Sequence, residues 1–595
     1  MERRDFLKRT GLAGMAMGLR VPAAVVAGPR KPVFVYNNWS AYDELSDNVV
    51  QTEELAMREL GEIVRLKKSG VQIDYYVMDA FWFDKYGGYR VWHREHWPQG
   101  PDRWLAACKE HHIRPGMWFS TNLISTHDGR FLEPVPEWSG SVATDPNILC
   151  LFEGGYLAHL AGTLQLWYDR GVRLFKFDFA YFEAVTAAAK DTYTPEEVKE
   201  KNKVAFMGML RRFRDRNPDV LITGYNGFGG EMENTFTPFH KTVDLRWLTV
   251  FDTLYSGDPR FSDVPMMNIW RSQDNYSDHM VRQFAFNGLP LRRIDNCAFM
   301  IGTTGTCYYR ATHAWKGMLL LELARGGWMN VYHGNLELLS SADAAWFAKV
   351  QALYRPLQQR DGIAAFGAIP GTGKPYWFRG VGSKGAVYTV VNPSQEIIPV
   401  ELGLPAGSRV LYADAGFQPV IAEGRLTLGP EQLVVVGTGG YGSYDLGTDE
   451  SVRVPRRSDR VAVEFAADGK NVIVGTVTPG NGTLALAGET LPPGGGTLRI
   501  LFQQFGKDGF PVRSWGGAPP DGQTMDKLLK IRCSQAGREL PLVIEYDKMI
   551  WSGLSWAAGE LRQGSYDPAV PVKIECSSTE KDELRLEARV YLIKY

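Results

Sequence analysis

Alternating strands and helices, followed by strands alone, predict an α/β chain: a (β/α)8 TIM barrel with two β-sandwich-type domains after it. Three observations lead there. From Lys31 to about Leu339, short apolar strands alternate with helical periodicities, as parallel strands joined by crossovers do. Polar residues cluster after many of these strands, and no G-x-G-x-x-G follows the first. That makes a doubly wound open sheet the runner-up. After about Tyr354, Gly- and Pro-rich turns separate short alternating strands, the texture of a sandwich. At 595 residues the chain is too long for one core.

The barrel elements follow in order. Val33–Tyr36 is the first strand, ending at Asn37-Asn38-Trp39, and Glu53–Lys68 is a helix stopped by Gly70. Val71–Met78 is the second strand, ending at Asp79. Helix Asp102–Glu110 precedes the third, Arg114–Phe119. Helix Gly154–Arg170 leads into Gly171–Phe179, an apolar run broken by Lys176 and Asp178. Alternation puts those two charges on one face, where they must pair or meet a ligand. Pro195–Arg216 is a helix with proline in its first turn. Val220–Thr223 is the fifth strand, ending at Gly224-Tyr225-Asn226-Gly227. Trp247–Phe251 and Met266–Trp270 compete for the sixth, and Ser277–Asn287 is the next helix. Ala298–Ile301 and Met329–Tyr332 are the seventh and eighth strands, with helix Trp315–Arg325 between them.

The expected division is a leader over 1–28, the barrel over 31–345, a β-sandwich over 355–442 and a second β-rich domain over 443–595. The last either binds carbohydrate or buttresses the barrel. In the leader, Arg3-Arg4-Asp5-Phe6-Leu7-Lys8 precedes a weakly apolar run, with small residues before Gly28. This resembles a twin-arginine signal, implying export to the periplasm or beyond. No other stretch is apolar for about 18 residues, so no membrane partner is expected.

A net charge of -1 points away from nucleic acid and acidic membranes. Seventeen tryptophans suit either sugar stacking or cores, and composition favours cores. Six cysteines without a C-x-x-C, and no histidine cluster at ligand spacing, predict no metal. Cys297 and Cys307 are the closest pair, left open between thiols and a bridge.

A barrel gathers its strand-end residues at one mouth. Asp79, Trp118, Lys176, Asp178, Asn226 and the stretch Trp270–Asn275 would meet there. Paired carboxylates across a pocket are what glycoside hydrolysis requires.

Five stretches carry a more specific pattern: P-V-F-V-Y-N-N-W (Pro32–Trp39), Y-V-M-D-A-F-W-F (Tyr76–Phe83), G-M-W-F (Gly116–Phe119), K-F-D (Lys176–Asp178) and W-R-S-Q-D-N (Trp270–Asn275). In barrel order they resemble glycoside hydrolase clan D, families 27 and 36, the α-galactosidase group. Its corresponding motifs read P-V-L-x-N-x-W, D-D-G-W-F, G-L-W-F, K-W-D or K-Y-D, and W-x-S-D-N or R-x-x-x-D. The resemblance implies a retaining, exo-acting α-glycosidase for terminal α-galactosides, with an oligosaccharide or glycoconjugate substrate and no cofactor. Asp178 would be the nucleophile and Asp274 the acid/base, with Asp252, Asp258, Asp263 and Asp278 nearby as competitors. Asp79, Lys176, Arg271, Trp39, Trp82, Trp118 and Asn226 would surround the sugar. This division of labour needs a raised pKa at Asp274 and a low one at Asp178, with Lys176 favouring the latter's ionised form.

The chain departs from the pattern at Ala80, where the family has a second acid, and at Phe179-Ala180, where it has asparagine then cysteine or arginine. A large β domain before the barrel, as in family 36, is not seen. Two alternatives lie within the clan, an α-N-acetylgalactosaminidase and a β-L-arabinopyranosidase. A non-catalytic carbohydrate-binding barrel is the alternative of another class.

Overall fold

The computed structural model describes residues 31–39, 41, 51–126, 129–229, 243–257, 260–296, 299–302, 314–360, 362–478, 496–516, 524–544 and 553–595. The twin-arginine stretch and the Cys297–Cys307 pair lie outside them. Nine parallel strands form one curled sheet. They are β1 Val33–Asn37, β2 Tyr75–Met78, β3 Arg114–Ser120, β4 Leu174–Asp178, β5 Leu221–Gly224, β6 Thr253–Tyr255, β7 Ile294–Asp295, β8 Phe299–Ile301 and β9 Met329–Gly334. Their order is β8-β9-β1-β2-β3-β4-β5-β6-β7. The Trp328 N–H donates to the Arg292 carbonyl at 3.1 Å, bringing the start of β9 against the start of β7, so the two ends of the sheet meet. This is the (β/α)8 barrel, with β7 and β8 serving one strand position between them.

Among the described residues, seven helices lie outside the barrel: α1 Glu53–Lys68, α2 Asp102–Glu110, α3 Tyr156–Asp169, α4 Pro195–Arg216, α5 Ile269–Phe286, α6 Trp315–Ala324 and α7 Ser341–Gln358. Their ends are written in the sequence. The Thr52 side chain caps α1, and acids in its first turn and bases in its last complement the helix dipole. Thr194 and Glu197 form a capping box ahead of Pro195 on α4.

The structure departs from the expectations in several places. Neither Trp247–Phe251 nor Met266–Trp270 is the sixth strand. Leu245–Thr249 is a 3-10 turn, and the strand is Thr253–Tyr255, too short to show periodicity. Helix α5 begins at Ile269, eight residues before the expected Ser277. The barrel's last helix runs to Gln358, past the expected barrel end at 345.

Two β-sandwiches follow. In the first, a six-stranded and a three-stranded sheet enclose Val390, Leu426, Leu428, Val434 and Val436. Gly447–Arg453 joins its larger sheet beside Arg409–Ala415, so this unit extends beyond the expected limit at 442. The second pairs a four-stranded with a five-stranded sheet.

Inside the barrel, Val35, Tyr75, Val77, Leu174, Leu221 and Met329 fill the floor. Gly116 belongs to this layer. A Cβ there would sit 2.8 Å from Val77 Cγ2 and 3.1 Å from Leu174 Cβ. Gly116→Ala should therefore cost about 1–3 kcal/mol by overpacking. Denaturant unfolding followed by circular dichroism reads this, and an unchanged midpoint would refute it.

Candidate active site

Above that floor, the C-terminal strand ends place charged groups in a buried layer. Asp178 closes β4, paired in register with Ser120 of β3. Its Oδ1 accepts the backbone N–H groups of Phe179 at 2.8 Å and Asn226 at 3.1 Å, and its Oδ2 accepts Trp118 Nε1–H at 3.1 Å. The chain turns sharply behind it. Phe179 has φ +51°, and Gly227 has φ +96° with its Cβ direction blocked 2.2 Å away by the Ala180 carbonyl oxygen. Only glycine fits there without displacing the Asn226 donor.

Lys176 lies one pleat deeper, and its direct ionic partner is Asp79. The ammonium stands 2.8 Å from Asp79 Oδ2, with both side chains nearly fully buried. Asp79 is held in turn from β1, its N–H donating to Asn38 Oδ1 at 2.8 Å. Asn38 Nδ2 donates to Gln51 and Glu59 at 2.7 and 3.2 Å. The ammonium also lies 4.0 Å from the ring centre of Tyr225 and 5.9 Å from that of Trp39, close enough for cation–π attraction. Tyr225 stacks on Tyr255 at 4.2 Å and donates its hydroxyl to Asp295 Oδ2 at 2.7 Å.

Burial pushes the Asp178 carboxyl above its ordinary value, against the pull of Lys176 and the Trp118 N–H. This reverses the expected low pKa: with Lys176 committed to Asp79, desolvation wins. Burial likewise raises Asp295 to about 6, against the Tyr225 hydroxyl and Lys176.

Of the expected residues, Asp79, Lys176, Asp178, Trp118 and Trp39 come together, and Asn226 joins them through its backbone. Trp82 does not. It is fully buried in a cluster with Trp92, Phe119 and Trp167, and its indole N–H donates to the Trp118 carbonyl at 2.9 Å. It supports the residue that holds Asp178.

Arg271 and Asp274 are also placed elsewhere. Both lie on α5, buried where the barrel meets the first sandwich. Arg271 bridges Asp274 Oδ2 and Asp414 Oδ2, each at 2.8 Å, and donates to the Glu431 carbonyl at 3.3 Å. Burial pushes the Asp274 carboxyl up to about 7, with Arg271 and Arg325 opposing. The pKa has the value an acid needs, but the geometry is that of a domain junction. Asp252 pairs with Arg214, Asp263 with Arg513 and Asp278 with Arg325. Asp258, three positions past the end of β6, lies outside the described residues.

Sequence reasoning missed Asn38, Tyr225, Tyr255 and Asp295. Tyr225 stood beside the chosen Asn226. Asp295 ends a strand two residues long, which no periodicity could have marked.

Among the described residues, and against the expectation of no cluster at ligand spacing, ligand atoms of His93, Glu95 and His96 lie within 4.8 Å of one another. The two imidazoles stack at 4.4 Å with planes 18° apart. Cys108, Cys150, Cys533 and Cys576 are buried free thiols. Among the described residues, no helix is long and apolar enough to cross a membrane.

No protein-family model matches the chain, and no curated protein sequence does. Among solved structures, it is similar to the galactosidase domain of an α-galactosidase–sucrose kinase, AgaSK, at 16% identity and a TM-score of 0.47, over 69% of this chain and 55% of that one. A family 36 α-galactosidase of Geobacillus stearothermophilus, solved with raffinose, aligns at 13% identity and a TM-score of 0.49 over 70% and 57%. A family 27 β-L-arabinopyranosidase from the same organism aligns at 12% identity and a TM-score of 0.43, over 69% and 97%. The chain thus spans little more than half the length of the first two.

Proposed function

We propose that this protein is an exported retaining α-glycosidase acting on terminal galactose-configured sugars. The observation that carries the reading is Asp178. It is a buried carboxylate at the C-terminal end of a barrel strand, oriented by three N–H donors, with the Lys176–Asp79 pair beside it. Such a group is poised to attack an anomeric carbon. In the proposed cycle Asp178 forms a glycosyl-enzyme, and a second carboxylic acid first protonates the leaving oxygen and then activates water. Asp274 is spent on Arg271, and Asp252, Asp263 and Asp278 each have an arginine partner. We assign the acid/base to Asp258 on its sequence position just past β6. Asp79 and Lys176 would bind sugar hydroxyls by charge-assisted hydrogen bonds.

The test is a panel of aryl glycosides with the wild type, Asp258→Ala and Asp274→Asn. Turnover of an α-galactoside, lost in Asp258→Ala and kept in Asp274→Asn, is expected. Ala80 offers no polar side-chain partner for a 6-hydroxyl, so discrimination against substrates lacking it should be weak. The ratio of kcat/KM for the α-D-galactoside to that for the β-L-arabinopyranoside should fall below about 10⁴. A larger ratio would mean another group holds that hydroxyl. The withdrawal of Asp274 from the mouth favours the second reading, a carbohydrate-binding barrel without catalysis. Sugar binding with no turnover across the panel would establish it.

A further inference from the structure

The Tyr225–Asp295 pair has no part in the chemistry described so far, yet the Tyr225 ring faces the Lys176 ammonium. Lys176 and Asp178 share a face of β4, two residues apart, and a lysine stem is long enough to carry its ammonium onto the nucleophile. A tight ion pair there would quench the attacking oxygen. The ammonium instead stands on Asp79 at 2.8 Å and over the Tyr225 ring at 4.0 Å. That ring is fixed on two sides, by stacking on Tyr255 and by its hydroxyl bond to Asp295. Asp295 lies in register with Tyr255 and is 1% exposed.

We propose that Asp295 is a positioning residue for Lys176: its charge and its hold on Tyr225 form the second arm of a clamp whose first arm is Asp79, keeping the ammonium off Asp178. The inference rests on the reading of Asp178 as nucleophile. Among the described residues, the charged and titratable groups around Asp295 are Tyr225 just past β5, Lys176 on β4, and Glu322 and Arg325 on and just beyond α6. Arg325 is already committed, to Asp278 at 2.7 Å, to Glu322 at 3.5 Å and to Asn296 Oδ1 at 3.1 Å. Lys176 is thus the cation that Asp295 answers. Burial raises the Asp295 carboxyl to about 6, so the arm is charged at neutral pH and discharged in mild acid.

The wild-type kcat/KM profile should therefore carry a step near pH 6, with the faster form above it. Asp295→Asn keeps the hydrogen-bond acceptor and loses the charge. It should abolish the step and lower the neutral plateau about tenfold, the loss of one charge-assisted contact. Asp295→Glu should restore both step and plateau. A merely structural aspartate would lower activity without removing the step, and a step persisting in Asp295→Asn overturns the proposal. An arm independent of turnover uses protein labelled with ¹³C at its aspartate carboxyls. The Asp295 resonance, assigned by its absence in Asp295→Asn, should titrate about one unit higher in Lys176→Met, since the neighbouring cation is gone. An unmoved titration also overturns the clamp. If the wild type cleaves no aryl glycoside, the glycosidase reading fails while the carboxyl titration still decides the coupling.

Discussion

Replacing Asp178 with glycine should lower hydrolysis of an aryl α-galactoside by on the order of 10⁴-fold or more, the scale of losing a covalent nucleophile. Added azide should then restore turnover and yield the β-azide from the α-substrate, because one displacement inverts. The geometry favours this rescue. The Trp118, Phe179 and Asn226 N–H groups that hold the carboxylate at 2.8–3.1 Å remain after the side chain is gone. They form a ready cradle for a small anion where the carboxylate stood. Product stereochemistry by NMR reads the result. Near-wild-type activity in Asp178→Gly would remove the nucleophile assignment, and an α-azide would remove the single-displacement rescue.

Arg271→Met should destabilise the fold by about 3–5 kcal/mol, because it strands Asp274 and Asp414 as buried carboxyls without their cation. Without Arg271 the Asp274 carboxyl binds its proton above the wild-type value of about 7, so its share of the penalty should shrink as pH falls toward about 7 and level off below it. Asp274→Asn is much milder, since Arg271 keeps Asp414. Thermal unfolding followed across pH distinguishes the two variants. A junction role predicts a large drop in the midpoint for Arg271→Met and retained turnover in Asp274→Asn. Loss of turnover in Asp274→Asn at an unchanged midpoint would return Asp274 to the chemistry.

The contrast between Asp178 and Asp274 shows where sequence reasoning holds. K-F-D lies inside an apolar run, and a carboxylate there has few places to go but the barrel interior. Its neighbours set its direction locally through strand alternation. W-R-S-Q-D-N reads equally as a strand-end motif or as the polar face of a helix. The C-terminal part of α5 is legible as a helix from Ser277 on, but its first two turns, Ile269–Tyr276, are buried, mostly polar and aromatic residues that read equally well as a strand end. Its charges are answered from far along the chain, by Asp414 and by Glu431, whose carboxylate takes the Met267 and Asn268 N–H groups at 2.8 Å. No window of sequence holds both partners.

By itself the sequence determined the strand–helix alternation, the Gly70 stop after α1 and the Pro195 start of α4, the inward pair Lys176 and Asp178, and the sandwiches after the barrel. Each depends on residues a few positions apart. Only the tertiary structure decided that Lys176 answers Asp79 across 97 positions, that the same ammonium lies over a Tyr225 ring held by Asp295, and that Arg271 joins Asp274 to Asp414 of the sandwich. A buried charge takes whichever partner folding brings within about 3–4 Å, and closing the barrel and docking the sandwich settle that choice.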